Sequence, residues 1–147
     1  MQLDKLGLLP EPRYENARLP YDITDLDGKQ LAETFTILTA WADYFASKLT
    51  QAQLEEKNIE SKLEYETAKL TVELMGKATK TDKVSLVKAQ IAIDQRIVDL
   101  KDKLAEKYAN RKTWELLLNN QERDLTLVSR EITRRTMEVR PLKYQGE

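Results

Sequence analysis

The sequence predicts an all-α protein, a long antiparallel helical hairpin of coiled-coil character with an irregular N-terminal arm. Three observations carry this. Only 4 Gly and 4 Pro punctuate 147 residues, too few turn formers for a sheet whose every hairpin or crossover needs them. Charged residues make up 33% and aromatics 7%, the balance of long solvated helices. Apolar residues recur at alternating steps of four and three along two long stretches, the spacing of one helix face.

Residues 1–30 form the arm. Pro10, Pro12 and Pro20 push their predecessors toward extended backbone, and the apolar residues follow no period. Leu6, Leu8, Leu9, Tyr14, Leu19, Tyr21 and Ile23 are too apolar for a solvated tail. The arm is expected to pack on the protein's own helices or on a neighbouring subunit. Asp25 or Asp27 is placed to cap the first helix.

The hairpin occupies 31–147. Its first helix, about 31–75, carries Leu31, Phe35, Leu38, Ala42, Phe45, Leu49, Ala52, Ile59, Leu63 and Leu70 on one seam, interrupted only by Glu56 and Glu66. A helix of that length is a rod of roughly 65–70 Å, which needs a partner of equal length. The stop signal is MGKATKTDKV, residues 75–84: Gly76 is expected as the C-cap with Lys77 beside it, and Thr81 or Asp82 as the next N-cap. The second helix is expected over about 82–139. Its seam runs Val84, Val87, Ile91, Ile93, Ile97, Leu100, Leu104, Tyr108, Arg111, Trp114, Leu118, Gln121, Leu125, Val128 and Ile132, with no breaker before Pro141. Two long helices joined by a short loop lie antiparallel. The second overruns the first, so its end should meet the arm or another chain.

Composition removes most chemistry. There are 0 Cys and 0 His, hence no disulfide, no thiolate and neither the commonest general base nor the commonest metal ligand. No phosphate-binding glycine loop, nucleophile set or zinc spacing is present. DITDLDGKQL, residues 22–31, lacks the ligand spacing and terminal Glu of a calcium loop and reads as a turn with a helix cap. A non-enzymatic protein without metal or cofactor is expected. No targeting segment or apolar membrane span is evident, and the cytoplasm, that of a bacterial host if the chain is of phage origin, is the expected compartment.

Charge is uneven under a net value of -1. Residues 31–75 hold 4 basic and 8 acidic residues, whereas 76–112 hold 10 and 5. Lys77, Lys80, Lys83 and Lys88 crowd the hairpin turn, either as a solvated tip or as a contact for backbone phosphates. Arg123, Arg130 and Arg134 gather opposite the apolar stripe Leu118, Leu125, Val128 and Ile132, with Arg135 on its flank. They are expected either to pair with Glu122, Glu131 and Glu138 across an interface or to grip phosphates. Leu116 and Leu127 lie among those arginines, which points to a second buried face against another subunit or the arm. Phe45 and Trp114 are seam residues; Tyr44 and Tyr65 are expected to be partly exposed, available for stacking or for an interface.

The segments LTAWADYFASKLTQAQLEEKNIESKLEYETAKL (38–70) and YANRKTWELLLNNQERDLTLVSREITRR (108–135) give the chain a familiar outline. A tryptophan early in a long helix is followed by charged heptads and a Tyr, then by a second long helix with an aromatic segment and a basic end. In this, over about two thirds of its length, the chain resembles the recombination mediators of tailed phages, the T4-type, UvsY-like family. The resemblance implies a ring-like homo-oligomer that binds single-stranded DNA and helps load a RecA-like recombinase onto DNA coated by single-strand-binding protein. In that family the DNA-contacting basic residues lie late in the first helix and around the turn, where Lys62, Lys69, Lys77 and Lys80 stand here. Glu60, Glu64, Glu66 and Glu73 make that helix acidic in this chain, which shifts the expected contact to the turn lysines and the C-terminal arginines. The rival expectation is a structural or assembly protein, such as a phage scaffold, chaperone or coiled-coil adaptor, without DNA binding of its own.

Overall fold

In a computed structural model of the chain, residues 9–77 and 84–139 are described, the side chain of Val139 excepted. The expectations for Leu6, Leu8, Lys80, Lys83, Thr81, Asp82 and Pro141 fall outside those residues. The fold is all-α, with α1 at Gly28–Lys77, α2 at Val84–Ile93 and α3 at Gln95–Val139, preceded by a 3-10 turn at Ile23–Asp25. The chain divides into two compact units, one from Met1–Leu49 with Trp114–Glu147, the other from Thr50–Thr113. Both long helices contribute to both units. Within each, residues later in α1 meet residues earlier in α3, the antiparallel pairing of a helical hairpin.

The first unit is a three-part assembly of arm, α1 and α3. Leu31, Leu38 and Val128 are its fully enclosed centre, and Ala17, Leu19 and Leu26 of the arm pack on that cluster beside Leu125 and Ile132. Burying each such Leu or Val contributes about 1.5–3 kcal/mol. The arm therefore docks on its own chain. Hydrogen bonds fix its course: the Trp41 indole Nε1 donates to the Tyr14 carbonyl at 2.9 Å, and Asn16 and Gln121 exchange amide bonds at 3.1 Å. Gln121, 4% exposed, also donates to the Leu38 carbonyl at 3.1 Å, so the seam glutamine answers its burial with acceptors on both neighbours.

Of the two candidate caps for α1, Asp27 is the one used. Its carboxylate accepts from the Gln30 backbone N–H at 2.7 Å, and the Gln30 side chain accepts from the Asp27 N–H at 2.9 Å, a reciprocal capping box. Leu26 before the cap and Leu31 after it share the core cluster, the apolar staple that fixes the chain's entry. Asp22 caps the preceding 3-10 turn, accepting from Thr24 N–H at 2.9 Å and Thr24 Oγ1 at 2.6 Å. These bonds to Thr24 lower its pKa.

The second unit contains the rest of α1, all of α2 and the start of α3. Leu70, Val87, Ile91 and Ile97 form its centre, with Leu63 and Leu74 against them. Polar seam positions also meet here: Arg111 of α3 bonds the Glu56 carboxylate, and Lys107 Nζ reaches Glu55 at 3.1 Å. Two of the seam interruptions, Glu56 and Arg111, are thus each other's partners and help fix the helix register.

Two expectations about this unit are corrected. The single helix over 82–139 is broken at Asp94. Ile91 and Ile97 are six residues apart, and α-helical winding would set them on faces about 120° apart. Instead, Asp94 N–H donates to the Ile91 carbonyl at 3.1 Å and Ile97 N–H to the Asp94 carbonyl at 3.0 Å. Two successive three-residue turns bring both isoleucines to the same face, and both are buried. Ile93, expected on the seam, is 79% exposed. Asp94 then caps α3, accepting from Arg96 N–H at 2.9 Å, and its hydrogen bonds from the Arg96 side chain lower its pKa. The second correction concerns Gly76. Helix α1 continues through it to Lys77 without a left-handed residue at Gly76, so it lies in the last turn and is no C-cap.

Candidate nucleic-acid interface

In the first unit α3 carries two stripes. The inner one runs through Leu118, Gln121, Leu125, Val128, Ile132 and Arg135, all buried or half-buried. On the opposite side, Leu116, Asn120, Arg123, Leu127, Arg130, Arg134 and Met137 repeat the same alternating spacing, and every one is exposed. Leu116 is 60% and Leu127 41% exposed. The arm packs beside the inner stripe and leaves the outer one open.

The four arginines differ in their surroundings. Arg123 is 67% exposed, with Asp124 3.7 Å away as a loose partner. Arg130 is exposed and has no ion pair among the described residues. Arg134 grips Glu131 at 2.7 Å and 3.0 Å and also bonds Glu138. Arg135 donates to Glu131 at 2.9 Å and, through its second nitrogen, to the carbonyls of Leu26 at 2.6 Å and Thr24 at 3.3 Å. Arg135 therefore joins α3 to the arm. The pairing anticipated with Glu131 and Glu138 is formed within one helix, at the three- and four-residue spacings where side chains are neighbours.

Glu131 is the node of this network. It is 6% exposed, and hydrogen bonds from Arg134 and then Arg135 hold its carboxyl at about 2 against an ordinary 4.5. The same contact with Glu131, reinforced by Glu138, raises the Arg134 pKa. Arg134 is a fixed, half-shielded charge, while Arg123 and Arg130 present their guanidinium groups to solvent. The outer stripe can thus offer planar cations alternating with aliphatic surface along one helix.

The turn lysines belong to the other unit. Lys77 ends α1 and Lys88 stands on α2, both exposed. The aromatic residues gather in the first unit, where Trp41, Tyr44, Phe45 and Trp114 stack edge-on or tilted with centroids 5.6–6.2 Å apart, with Lys48 Nζ 5.7 Å from the Tyr44 ring. Tyr65 is 66% exposed. Among the described residues no group of acidic side chains is placed to hold a metal ion, and no helix is long and apolar enough to cross a membrane. No family model matches the chain, and neither a curated protein nor a solved structure is found to match it.

Two site features escape sequence reasoning. The Asn16–Gln121 exchange joins residues 105 apart in sequence, beyond the reach of any local pattern. The Arg135 contacts use arm carbonyls, which carry no sequence signature. Glu131, by contrast, was findable as a node: an acid three and four residues before two arginines is the spacing of an intrahelical clamp.

Proposed function

We propose that the chain is a homo-oligomeric, single-stranded-DNA-binding recombination mediator that helps load a RecA-like recombinase onto DNA coated by single-strand-binding protein. The supporting observation is the outer stripe of α3, where Arg123 and Arg130 alternate with Leu116, Leu127 and Met137 in full view of solvent. Guanidinium groups pair with phosphate oxygens bidentately, and aliphatic surface between them offers base faces a place out of water. Sequence enters nowhere in such a contact, as a mediator requires. Lys77, at the end of α1, supplies further cationic surface.

Anisotropy of a labelled single-stranded oligonucleotide at about 50 and about 200 mM salt tests this. Two phosphates neutralised per protomer, with release of their counterions, weaken binding about sevenfold across that range, and Arg123→Glu with Arg130→Glu should abolish most of the affinity. Unchanged binding by the folded double variant would remove the stripe from consideration, and no binding by the native protein would remove the DNA activity. The rival, an assembly or scaffold protein, rests on the same stripe: exposed Leu116, Leu127 and Met137 are an apolar seam for another helix. It expects Leu116→Ser with Leu127→Ser to dissociate the oligomer in sedimentation, with no DNA affinity in any variant.

A further inference from the structure

The second unit holds a groove of about 400 Å³, within the size range of sites that take small ligands or a few side chains. Its floor is the buried cluster of Val87, Ile91 and Ile97, and its rim includes Met75 and Val84, both roughly half exposed. The groove follows from the local sequence. Helix α2, VSLVKAQIAI, carries a single charge at Lys88, so its apolar surface exceeds what one contact with α1 can cover.

Among the described residues, the ionisable side chains lining the groove are Lys88 and Lys101, one on α2 and one on α3. Neither lysine has an ion-pair partner among the described residues. The ion pairs along this unit, Lys57 with Glu60, Glu55 with Lys107, Glu56 with Arg111 and Asp94 with Arg96, involve neither lysine. An aliphatic trough flanked by two unmatched ammonium groups is complementary to a chain that offers apolar side chains and carboxylates together.

We infer that this groove is a docking site for a short acidic peptide segment of a partner protein, its apolar side chains seated against the half-exposed Met75 and Val84 above the buried Val87 and Ile91, and its carboxylates on Lys88 and Lys101. A nucleic-acid strand is the poorer occupant: its phosphates would be set against aliphatic walls that offer them no hydrogen bond. The inference does not depend on the DNA reading of the first unit.

Full-length protein is titrated with a fluorescein-labelled peptide containing alternating Asp or Glu and Leu or Phe residues. Two control peptides accompany it, one with the acids changed to amides and one with the apolar residues changed to serine. The site predicts saturable binding of the first peptide and at least tenfold weaker binding of both controls. It also predicts at least tenfold loss with Lys88→Glu and Lys101→Glu together, and recovery when the variant meets a peptide carrying Lys in place of its acids. Both lysines are exposed, so helicity by circular dichroism should stay at the native value; Lys88→Gln with Lys101→Gln gives an intermediate loss. Arg123→Glu with Arg130→Glu leaves peptide binding intact, whatever it does to DNA. Equal binding of the serine control, indifference to the lysine reversal, or competitive displacement by an unlabelled oligonucleotide each overturns the inference. So does a lysine reversal that changes sedimentation with no peptide bound by the native protein, which would give the groove to a second copy.

Discussion

The two units draw on the same pair of long helices and differ in what closes their third side. In the first unit it is an arm whose described residues are irregular apart from the 3-10 turn at Ile23–Asp25, yet Leu38 and Val128 beneath it are wholly enclosed. In the second, α2 stands in line with α3 against α1, no third segment is present among the described residues, and a groove remains beside it. Closure therefore comes from a third segment, and that segment need not be regular. A helix satisfies its own backbone and can meet a neighbour only along a stripe. An irregular strand has unsatisfied carbonyls, but once Trp41, Gln121 and Arg135 supply donors to the arm and the helix beside it, the chain lies flat and covers more.

The largest test of that difference is truncation of each core. Leu38→Ala should lower stability by about 3 kcal/mol in urea titration, because a fully enclosed site cannot collapse around the cavity. Val87→Ala, next to the groove, should lose only about 1–2 kcal/mol, since solvent already has access to part of its surroundings. Equal losses would break the comparison.

A second test addresses the tie between arm and α3. With its carboxyl held at about 2 against 4.5, Glu131 binds fewer protons folded than unfolded, so its stabilisation is complete above about pH 4.5 and is lost as pH falls toward 2. Glu131→Gln should thus be less stable than the native protein at pH 7. The gap in denaturation midpoint should narrow steadily from about pH 4.5 to about pH 2. A gap of constant size over that window would mean that packing, not the carboxylate, holds Arg134 and Arg135.

The smallest expected effect sharpens the description of the second unit. Gly76 sits in the last turn of α1, and a methyl group there would meet nothing within 4 Å. Gly76→Ala should raise stability by about 0.5 kcal/mol, read as a small upward shift in Tm, by limiting the freedom of the unfolded chain. Destabilisation would show that the residue needs a backbone conformation reserved for glycine.

What the sequence makes legible follows from the range of each force. The seam from Leu31 to Leu70, the antiparallel pairing and the outer stripe of α3 all come from periodicity, which is local. The break at Asp94 was partly visible as the six-residue step from Ile91 to Ile97, but the step was hidden by taking Ile93 as a seam residue. Glu56 with Arg111, and Asn16 with Gln121, were legible only as polar interruptions, because choice of partner depends on register across sequence distances of 55 and 105 residues. The outer-stripe arginines were placed correctly on their face, yet the division of Arg135 from Arg123 and Arg130 depends on arm carbonyls that no side-chain pattern announces.

The donors that hold the arm at Tyr14 and Thr24 come from Trp41 and Arg135, whereas the acceptors are main-chain oxygens. Every residue type possesses that oxygen. Positions 14 and 24 can accordingly drift among relatives with these contacts preserved, while the indole and guanidinium facing them cannot. Among homologues these two contacts would be written in columns of the helices, whereas Asn16, Ala17, Leu19 and Leu26, which dock through their side chains, would be held within the arm itself.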